Sequence, residues 1–125
     1  MILGLGLDVV ATERIARQLG EGALSFEERV FTAAERAECG GRADRAQALA
    51  ARFAAKEAYF KALGTGWREG VSFLQVEVRS ADGGAPTLHL SGRAAERAQE
   101  RGVQRVHVSL SHEQGMAAAA VILEG

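Results

Sequence analysis

The sequence contains little cysteine, no long apolar run and no excess of charge, and each of these scarcities excludes a class of protein. Its one cysteine, Cys39, excludes an internal disulfide framework and a cysteine-rich zinc site. No apolar segment reaches the length that crossing a bilayer requires, so we expect no membrane span. The net charge of -1 does not favour a nucleic-acid-binding protein, which is usually basic. No signal-peptide pattern opens the chain, and we therefore expect a cytoplasmic protein.

What is present indicates one globular domain covering residues 1–125. The composition, 47% hydrophobic and 25% charged, is ordinary for a folded protein. The sequence shows no internal repeat, low-complexity tail or long polar linker. Lysine is scarce, however: Lys56 and Lys61, five positions apart, are the only lysines among fifteen basic residues.

The first strand is predicted over Ile2–Val10 from the alternation of its side chains. Its apolar side chains point to one face, and Gly4, Gly6 and Asp8 point to the other. A glycine face lets another element approach the backbone closely. We therefore expect a helix or strand to pack there, with Asp8 at the end of the contact.

The longest helix is predicted from about Asp44 to Leu63, closed by Gly64. An apolar stripe of Ala46, Leu49, Phe53 and Phe60 marks one side of it. The other predicted elements are a helix capped by Thr12, a helix opened by a Thr32–Glu35 capping box, strands at 71–79 and 87–90, a helix capped by Ser91, and strands at 106–111 and 116–123. The predicted fold is α+β, with a mainly antiparallel sheet packed against one long helix and shorter helices.

Charged side chains lie on the long helix in an unusual pattern. Glu57 is close to the apolar stripe, where a carboxylate is costly unless something pairs with it. Lys61, four residues on, would supply an ordinary ion pair. Alternatively, Glu57 and Asp8 are ligands of a magnesium ion, which takes further oxygens from phosphates. Arg52 and Lys56, like charges one turn apart, would fit the second interpretation if an anion lay between them, but the spacing alone favours the ion pair.

Two further features have both a structural and a functional interpretation. The Gly64-Thr65-Gly66 turn could present backbone N–H groups to an anion, or Gly64 could simply end the helix. His112 follows Val106 and two more apolar residues on one strand face, so it is either a core histidine or a ligand-binding residue.

Together these residues resemble the holo-acyl-carrier-protein synthases, the small stand-alone branch of the phosphopantetheinyl transferase superfamily. The superfamily has a strand ending in Gly-hydrophobic-Asp, here Gly6-Leu7-Asp8, and a helix of the form Phe-x-x-Lys-Glu-x-x-x-Lys, here Phe53 to Lys61. Further matches are Arg29-Val30-Phe31-Thr32 with Glu35, the 64–66 turn, and the segment from His107 to His112. The similarity covers the whole chain in the family's order.

The resemblance implies an activity and a role for each matching residue. It implies transfer of 4′-phosphopantetheine from coenzyme A to a serine of apo acyl carrier protein, releasing 3′,5′-ADP and serving fatty acid or polyketide biosynthesis. Asp8 and Glu57 would bind Mg²⁺, with Glu57 or a metal-bound water accepting the serine proton, and Lys61 would stabilise the leaving group. The residues expected to hold coenzyme A are Arg52, Lys56, Gly64, Thr65, Gly66 and His112.

The resemblance also implies a homotrimer with each active site between two subunits, and docking of the acidic carrier protein through Arg14. A second hypothesis is a module that binds coenzyme A or a nucleotide without catalysis. The loss of Asp8, Glu57 or Lys61 would favour that hypothesis, but all three are present.

Overall fold

The secondary structure is α+β, as the sequence predicts. The computed structural model describes residues 1–20, 24–64, 70–80 and 84–125. In chain order the elements within these ranges are β1 Ile2–Ala11, α1 Thr12–Gly20, α2 Leu24–Val30, α3 Ala33–Gly40, α4 Arg45–Leu63, a 3-10 helix Phe73–Gln75, β2 Val76–Ser80, β3 Pro86–Leu90, α5 Gly92–Glu100, β4 Arg105–Glu113 and β5 Met116–Glu124.

The strands form two antiparallel sheets. One sheet has the order β1-β5-β4, and the other is the hairpin of β2 and β3. In the larger sheet Asp8 lies opposite Ala119, which in turn lies opposite Leu110. β5 is the central strand although its run of alanines favours a helix, because its two neighbours satisfy its backbone on both sides. The prediction of a strand here is confirmed.

Helix α4 lies against the inner face of the larger sheet, at the glycines of β1. A Cβ atom on Gly4 would meet the carbonyl of Ala62, and one on Gly6 would meet the carbonyl of Ala58. The predicted close approach at the glycine face is confirmed. Because the later glycine meets the earlier helical turn, β1 runs antiparallel to α4 at this contact.

The predicted apolar stripe is narrower than the buried surface of α4. Every residue from Ala48 to Leu63 is buried except Glu57 and Lys61. The helix is enclosed by the sheet on one side and by α1, α3 and β2 on others. Its many small alanines allow this enclosure, which a search for large apolar side chains does not detect.

Several local predictions were wrong. Thr12 is the first residue of α1, not its N-cap, and its buried hydroxyl has no hydrogen-bond partner among the described residues. Ser91 occupies the N-cap position of α5, as predicted, but its side chain makes no capping hydrogen bond; Gln75 instead accepts one from the N–H of Ala94. The strand predicted at 71–79 begins only at Val76, after the 3-10 helix, and α2 was not predicted. Within the described residues, none of the helices combines the length and apolar character that a membrane span requires.

Candidate active site

Asp8, Glu57 and Lys61 gather where β1 meets α4. Asp8 lies two residues after Gly6 on the same face of β1. Because Gly6 contacts Ala58 and the strand runs antiparallel to α4, Asp8 lies beside the turn of α4 that precedes Ala58. Lys61 reaches back across this contact, and its Nζ donates to Asp8 Oδ1 at 2.9 Å and to Leu7 O at 3.1 Å. Glu57 lies near enough for the charges of Asp8 and Lys61 to shift its pKa, so the three side chains share this junction.

Lys61 and Glu57, four residues apart on α4, do not form the ion pair that their spacing allows. Lys61 pairs with Asp8 and not with Glu57, so the interpretation of a local Glu57–Lys61 bridge is wrong. Glu57 has no hydrogen bond or ion pair within the described part of the chain. Burial and, after it, the neighbouring Asp8 carboxylate raise the pKa of Glu57 above its ordinary value. The junction thus holds one half-buried carboxylate that pairs with no cation of the described residues.

This donor set fits a cation that also binds phosphate. No group of three or more histidine, cysteine, aspartate or glutamate side chains comes together among the described residues, so an ion held entirely by such side chains is not indicated there. Magnesium commonly takes only one or two protein carboxylates and fills its remaining positions with water and substrate phosphates. Asp8 and Glu57 are two such carboxylates, and the Lys61 ammonium on Asp8 shows that this carboxylate can receive a positive charge.

The end of α4 has the geometry of a helix C-cap. Gly64 is in the left-handed region, with φ of 80°, and its N–H donates to Phe60 O at 2.9 Å and Lys61 O at 3.2 Å. The N–H of Gly64 is therefore occupied within the helix and is not the donor for an anion. Thr65 and Gly66, which the sequence also assigns to coenzyme A, lie outside the described residues.

Lys56 does not reach the surface where coenzyme A would bind. Its side chain is fully buried, and its ammonium donates to Glu35 Oε1 at 2.8 Å, Phe73 O at 3.0 Å and Val76 O at 2.8 Å. Three acceptors use its three hydrogens, so this geometry contradicts the predicted coenzyme A contact. The sequence identified Glu35 as a capping residue but gave no sign that it pairs with a lysine 21 positions away.

Arg52 and His112 line one cleft of about 150 Å³ together with Arg42. Arg52 is 3% exposed and donates to Ala48 O and to Glu38 Oε1, while its buried Nε has no partner in the part of the chain that the structure describes. His112 is exposed at the end of β4. Sequence reasoning grouped Arg52 and His112 only through family resemblance, and it missed Arg42, for which no spacing or motif gave a signal.

Arg14 lies beside the same junction. Its guanidinium carbon is 5.6 Å from the centre of the Phe53 ring, one turn of α4 before Glu57. Its positive charge lowers the pKa of Glu57, as does that of Lys61, against the larger effects of burial and Asp8. The exposed face of α1 is therefore adjacent to the carboxylates.

Comparisons with known proteins identify the family of this chain. The sequence model described as the 4′-phosphopantetheinyl transferase superfamily matches residues 4–121. A holo-[acyl-carrier-protein] synthase of Anaeromyxobacter dehalogenans is 57% identical over 100% of this chain and 98% of that protein.

Solved structures of similar proteins have the same fold. The holo-[acyl-carrier-protein] synthase of Neisseria meningitidis superposes with a TM-score of 0.89 at 36% identity, covering 100% of both chains. The synthase of Bacillus anthracis, solved in complex with CoA (3′,5′-ADP), gives a TM-score of 0.82 at 40% identity over 100% of this chain and 98% of that chain. The chain therefore belongs to the 4′-phosphopantetheinyl transferase superfamily and, within it, to the holo-[acyl-carrier-protein] synthases.

Proposed function

We propose that this chain, as one domain over residues 1–125, transfers 4′-phosphopantetheine from coenzyme A to a serine of apo acyl carrier protein. The product would be a holo carrier protein for fatty acid or polyketide biosynthesis. The observation that carries the proposal is the meeting of Asp8, Glu57 and Lys61 at the junction of β1 and α4. The relatives' names and the Bacillus anthracis complex support the substrates.

The reaction that these residues would perform is a phosphoryl-type transfer. The serine oxygen forms a bond to the β-phosphorus of coenzyme A, and the bond from that phosphorus to the bridging oxygen breaks, so that 3′,5′-ADP leaves. Glu57 would accept the serine proton, and its raised pKa supports that role. Lys61 would offer its ammonium to the departing oxygen. Such reactions depend mainly on positioning and neutralising charge.

Asp8 and Glu57 would hold Mg²⁺ together with the coenzyme A diphosphate. When bound, the ion supplies positive charge that offsets the charge developing on the phosphate oxygens. The protein's own contribution is to keep the two carboxylates together, although they repel, by fixing β1 against α4 through Gly4 and Gly6.

Release of 3′,5′-ADP distinguishes this proposal from a module that only binds coenzyme A. The protein is incubated with coenzyme A and Mg²⁺, with and without apo carrier protein, and the nucleotides are separated by chromatography. The proposal expects 3′,5′-ADP only when the carrier is present, in proportion to the carrier consumed. Tight binding of coenzyme A without nucleotide release would instead support the binding module.

The cleft lined by Arg42, Arg52 and His112 suits the nucleotide end of coenzyme A, because it brings cationic and imidazole groups to one place. Arg42 is already paired with Asp44, at 2.8 and 2.9 Å, and the buried Arg52 with Glu38, at 2.8 Å, so the exposed His112 is the strongest candidate for phosphate contact.

His112→Ala is expected to weaken coenzyme A binding about tenfold, the effect of losing one hydrogen bond to a charged group. Turnover at saturating coenzyme A should remain measurable because His112 is not the base. Steady-state kinetics with coenzyme A as the varied substrate checks this, and His89→Ala is the matched control on the other sheet. Complete loss of turnover with normal affinity for coenzyme A would contradict the assignment.

Arg14→Glu is expected to raise KM for the carrier protein about tenfold and to change KM for coenzyme A much less. Carrier proteins are acidic, and a reversed charge on α1 weakens their steering and docking. The effect should shrink as salt increases. Arg105→Glu is the control, since its side chain is 75% exposed at the opposite end of the sheet. Equal changes in both KM values would show that Arg14 does not act in carrier docking.

The outer face of the larger sheet supports a homotrimer. Leu5, Leu7 and Val9 are 67%, 61% and 53% exposed, and they form an apolar ridge along β1. Small side chains on β5 and β4 form a shallow trough beside Leu7, lined by Ser109, Ser111, Ala118 and Ala120. A contiguous apolar surface of this kind is typical of a subunit interface. In the proposed trimer each active site lies between two subunits.

Leu7→Lys is expected to convert the trimer to monomers and to reduce activity, because a charge on the ridge cannot be buried between subunits without a partner. Light scattering on the purified protein gives the mass. Leu74→Lys, a change at an apolar residue that is 41% exposed away from this face, should leave the assembly intact. A wild-type monomer with full activity would contradict the trimer.

A further inference from the structure

Arg101, the residue that follows α5, connects the end of α4 to β1. Its Nη1 donates to Leu63 O at 2.7 Å and to Ala62 O at 3.3 Å, and its Nη2 donates to Leu3 O at 2.8 Å. Ala62 and Leu63 are the last two residues of α4, and Leu3 lies in β1. One planar guanidinium therefore holds together the two elements that carry the candidate active site.

These contacts complete the hydrogen bonding of the last turn of α4. The last four carbonyls of a helix have no partner inside the helix and carry partial negative charge. The N–H of Gly64 satisfies two of them, those of Phe60 and Lys61. Arg101 satisfies the other two, those of Ala62 and Leu63. No carbonyl of this turn remains without a donor.

The position of this turn gives the contacts a functional consequence. Lys61 belongs to the turn, and Asp8 follows Leu3 along the strand that Arg101 also holds. A helix C-terminus repels a phosphate group, and a cation placed on its carbonyls offsets that repulsion. Because the two terminal nitrogens of Arg101 bind carbonyls of both elements, they also fix the distance between Leu3 and the end of α4. This contact lies next to that between Gly4 and Ala62.

We propose that Arg101 is a positioning residue for coenzyme A: it holds the carbonyl end of α4 against β1 and places positive charge there, so that Lys61 and its neighbours can receive the diphosphate. Arg101 acts through α4 and β1 and does not itself contact the substrate. This inference rests on the proposed function, since it names the diphosphate of coenzyme A as the group that benefits. Neither the sequence motifs nor the spacing singled out Arg101, which lies 38 positions from Leu63.

The test compares Arg101→Met, which keeps the apolar stem, with Arg101→Lys, which keeps a positive charge but has one terminal nitrogen in place of two. We expect Arg101→Met to weaken coenzyme A binding about five- to tenfold, within the range of charge effects at helix ends, and Arg101→Lys to fall between it and the wild type. KM for the carrier should change less than twofold, on the order of the smallest effects resolved for surface charges. Arg105→Met is the matched control, since it removes the same charge from an exposed neighbouring position.

Calorimetric titration with coenzyme A measures this affinity without requiring turnover. If the wild type binds coenzyme A but transfers nothing, the proposed function fails while Arg101 is still tested. Melting temperatures with and without coenzyme A provide the second readout. A purely structural Arg101 would lower both melting temperatures equally, whereas a positioning residue also reduces the increase that coenzyme A produces.

Unchanged coenzyme A affinity in folded Arg101→Met would overturn the proposal, whatever the stability of that variant. If Arg101→Met does not fold, Arg101→Lys decides the question: weaker coenzyme A binding than in the wild type supports the proposal, and wild-type affinity contradicts it. An equal loss of affinity in Arg105→Met would show that only the net charge matters and would also overturn it.

Discussion

Glu57→Gln is expected to lower turnover by about 10²-fold or more without destabilising the protein. The substitution keeps the size of the side chain but removes the charge that would bind Mg²⁺ and accept the serine proton. Among the residues that the structure describes, Glu57 is a half-buried carboxylate next to Asp8 that makes no ion pair. Removing this charge therefore removes a repulsion, and the free energy of unfolding at neutral pH should stay the same or increase.

The pH dependence follows from the sign of the pKa shift. Because burial and Asp8 raise the pKa of Glu57 in the folded state, its contribution to stability is present below the ordinary glutamate pKa and is lost as pH rises through the folded-state pKa. The stability difference between Glu57→Gln and the wild type should therefore grow in favour of the variant from mildly acidic to neutral pH. Urea unfolding at several pH values measures it, with the exposed Glu96→Gln as the control.

Asp8→Asn should reduce turnover as strongly as Glu57→Gln, and the double variant should lose little more, because either change breaks the same site. Fully additive losses would show that the two carboxylates act separately. Near-normal turnover in Glu57→Gln would contradict the assigned role of Glu57.

Lys56→Met is expected to destabilise the protein by about 3–5 kcal/mol, the usual cost of breaking a buried charge pair. The substitution would leave the fully buried Glu35 carboxylate with only the N–H donors of Thr32 and Val78. It would also remove the donor from the carbonyls of Phe73 and Val76. Urea unfolding, with the midpoint and slope compared with those of the wild type, measures the change.

Lys61→Met is the natural control. The two lysines lie five positions apart on one helix, but Lys56 is buried with Glu35 whereas Lys61 is exposed beside Asp8. Lys61 is 53% exposed in its pair with Asp8, so its removal should change stability by at most about 1 kcal/mol. Its removal should nevertheless reduce turnover severely.

The double variant Glu35→Gln with Lys56→Met should lose less free energy of unfolding than the two single variants lose together, because both changes remove the same ion pair. If Lys56→Met is as stable as the wild type but binds coenzyme A more weakly, Lys56 contributes to coenzyme A binding after all.

The parts of the fold that the sequence predicts well depend on local patterns. The alternation of glycine and apolar residues in β1 identified the face against which α4 packs, because only glycine permits contact between backbones there. The capping box of Thr32 and Glu35 and the left-handed Gly64 were likewise predictable, since each depends on residues within one helical turn.

The parts that the sequence could not predict depend on contacts between distant residues. The ammonium of Lys56 is paired with Glu35 and hydrogen-bonded to two carbonyls, and no spacing rule connects any of these groups to it. Lys61 pairs with Asp8, 53 positions away, and not with Glu57, which is one helical turn away. Family motifs named Asp8, Glu57 and Lys61, but only the fold shows that Lys61 is exposed beside Asp8 while Lys56 is buried beside Glu35.

The mass of apo acyl carrier protein after incubation with this protein, coenzyme A and Mg²⁺ tests the central claim most directly. Intact-protein mass spectrometry should show a gain of one phosphopantetheine group per carrier. The gain should be absent when the target serine is replaced by alanine, strongly reduced with Glu57→Gln, and abolished by chelation until Mg²⁺ is restored. A carrier of unchanged mass with folded wild-type protein, or full modification after thorough chelation, would contradict the account.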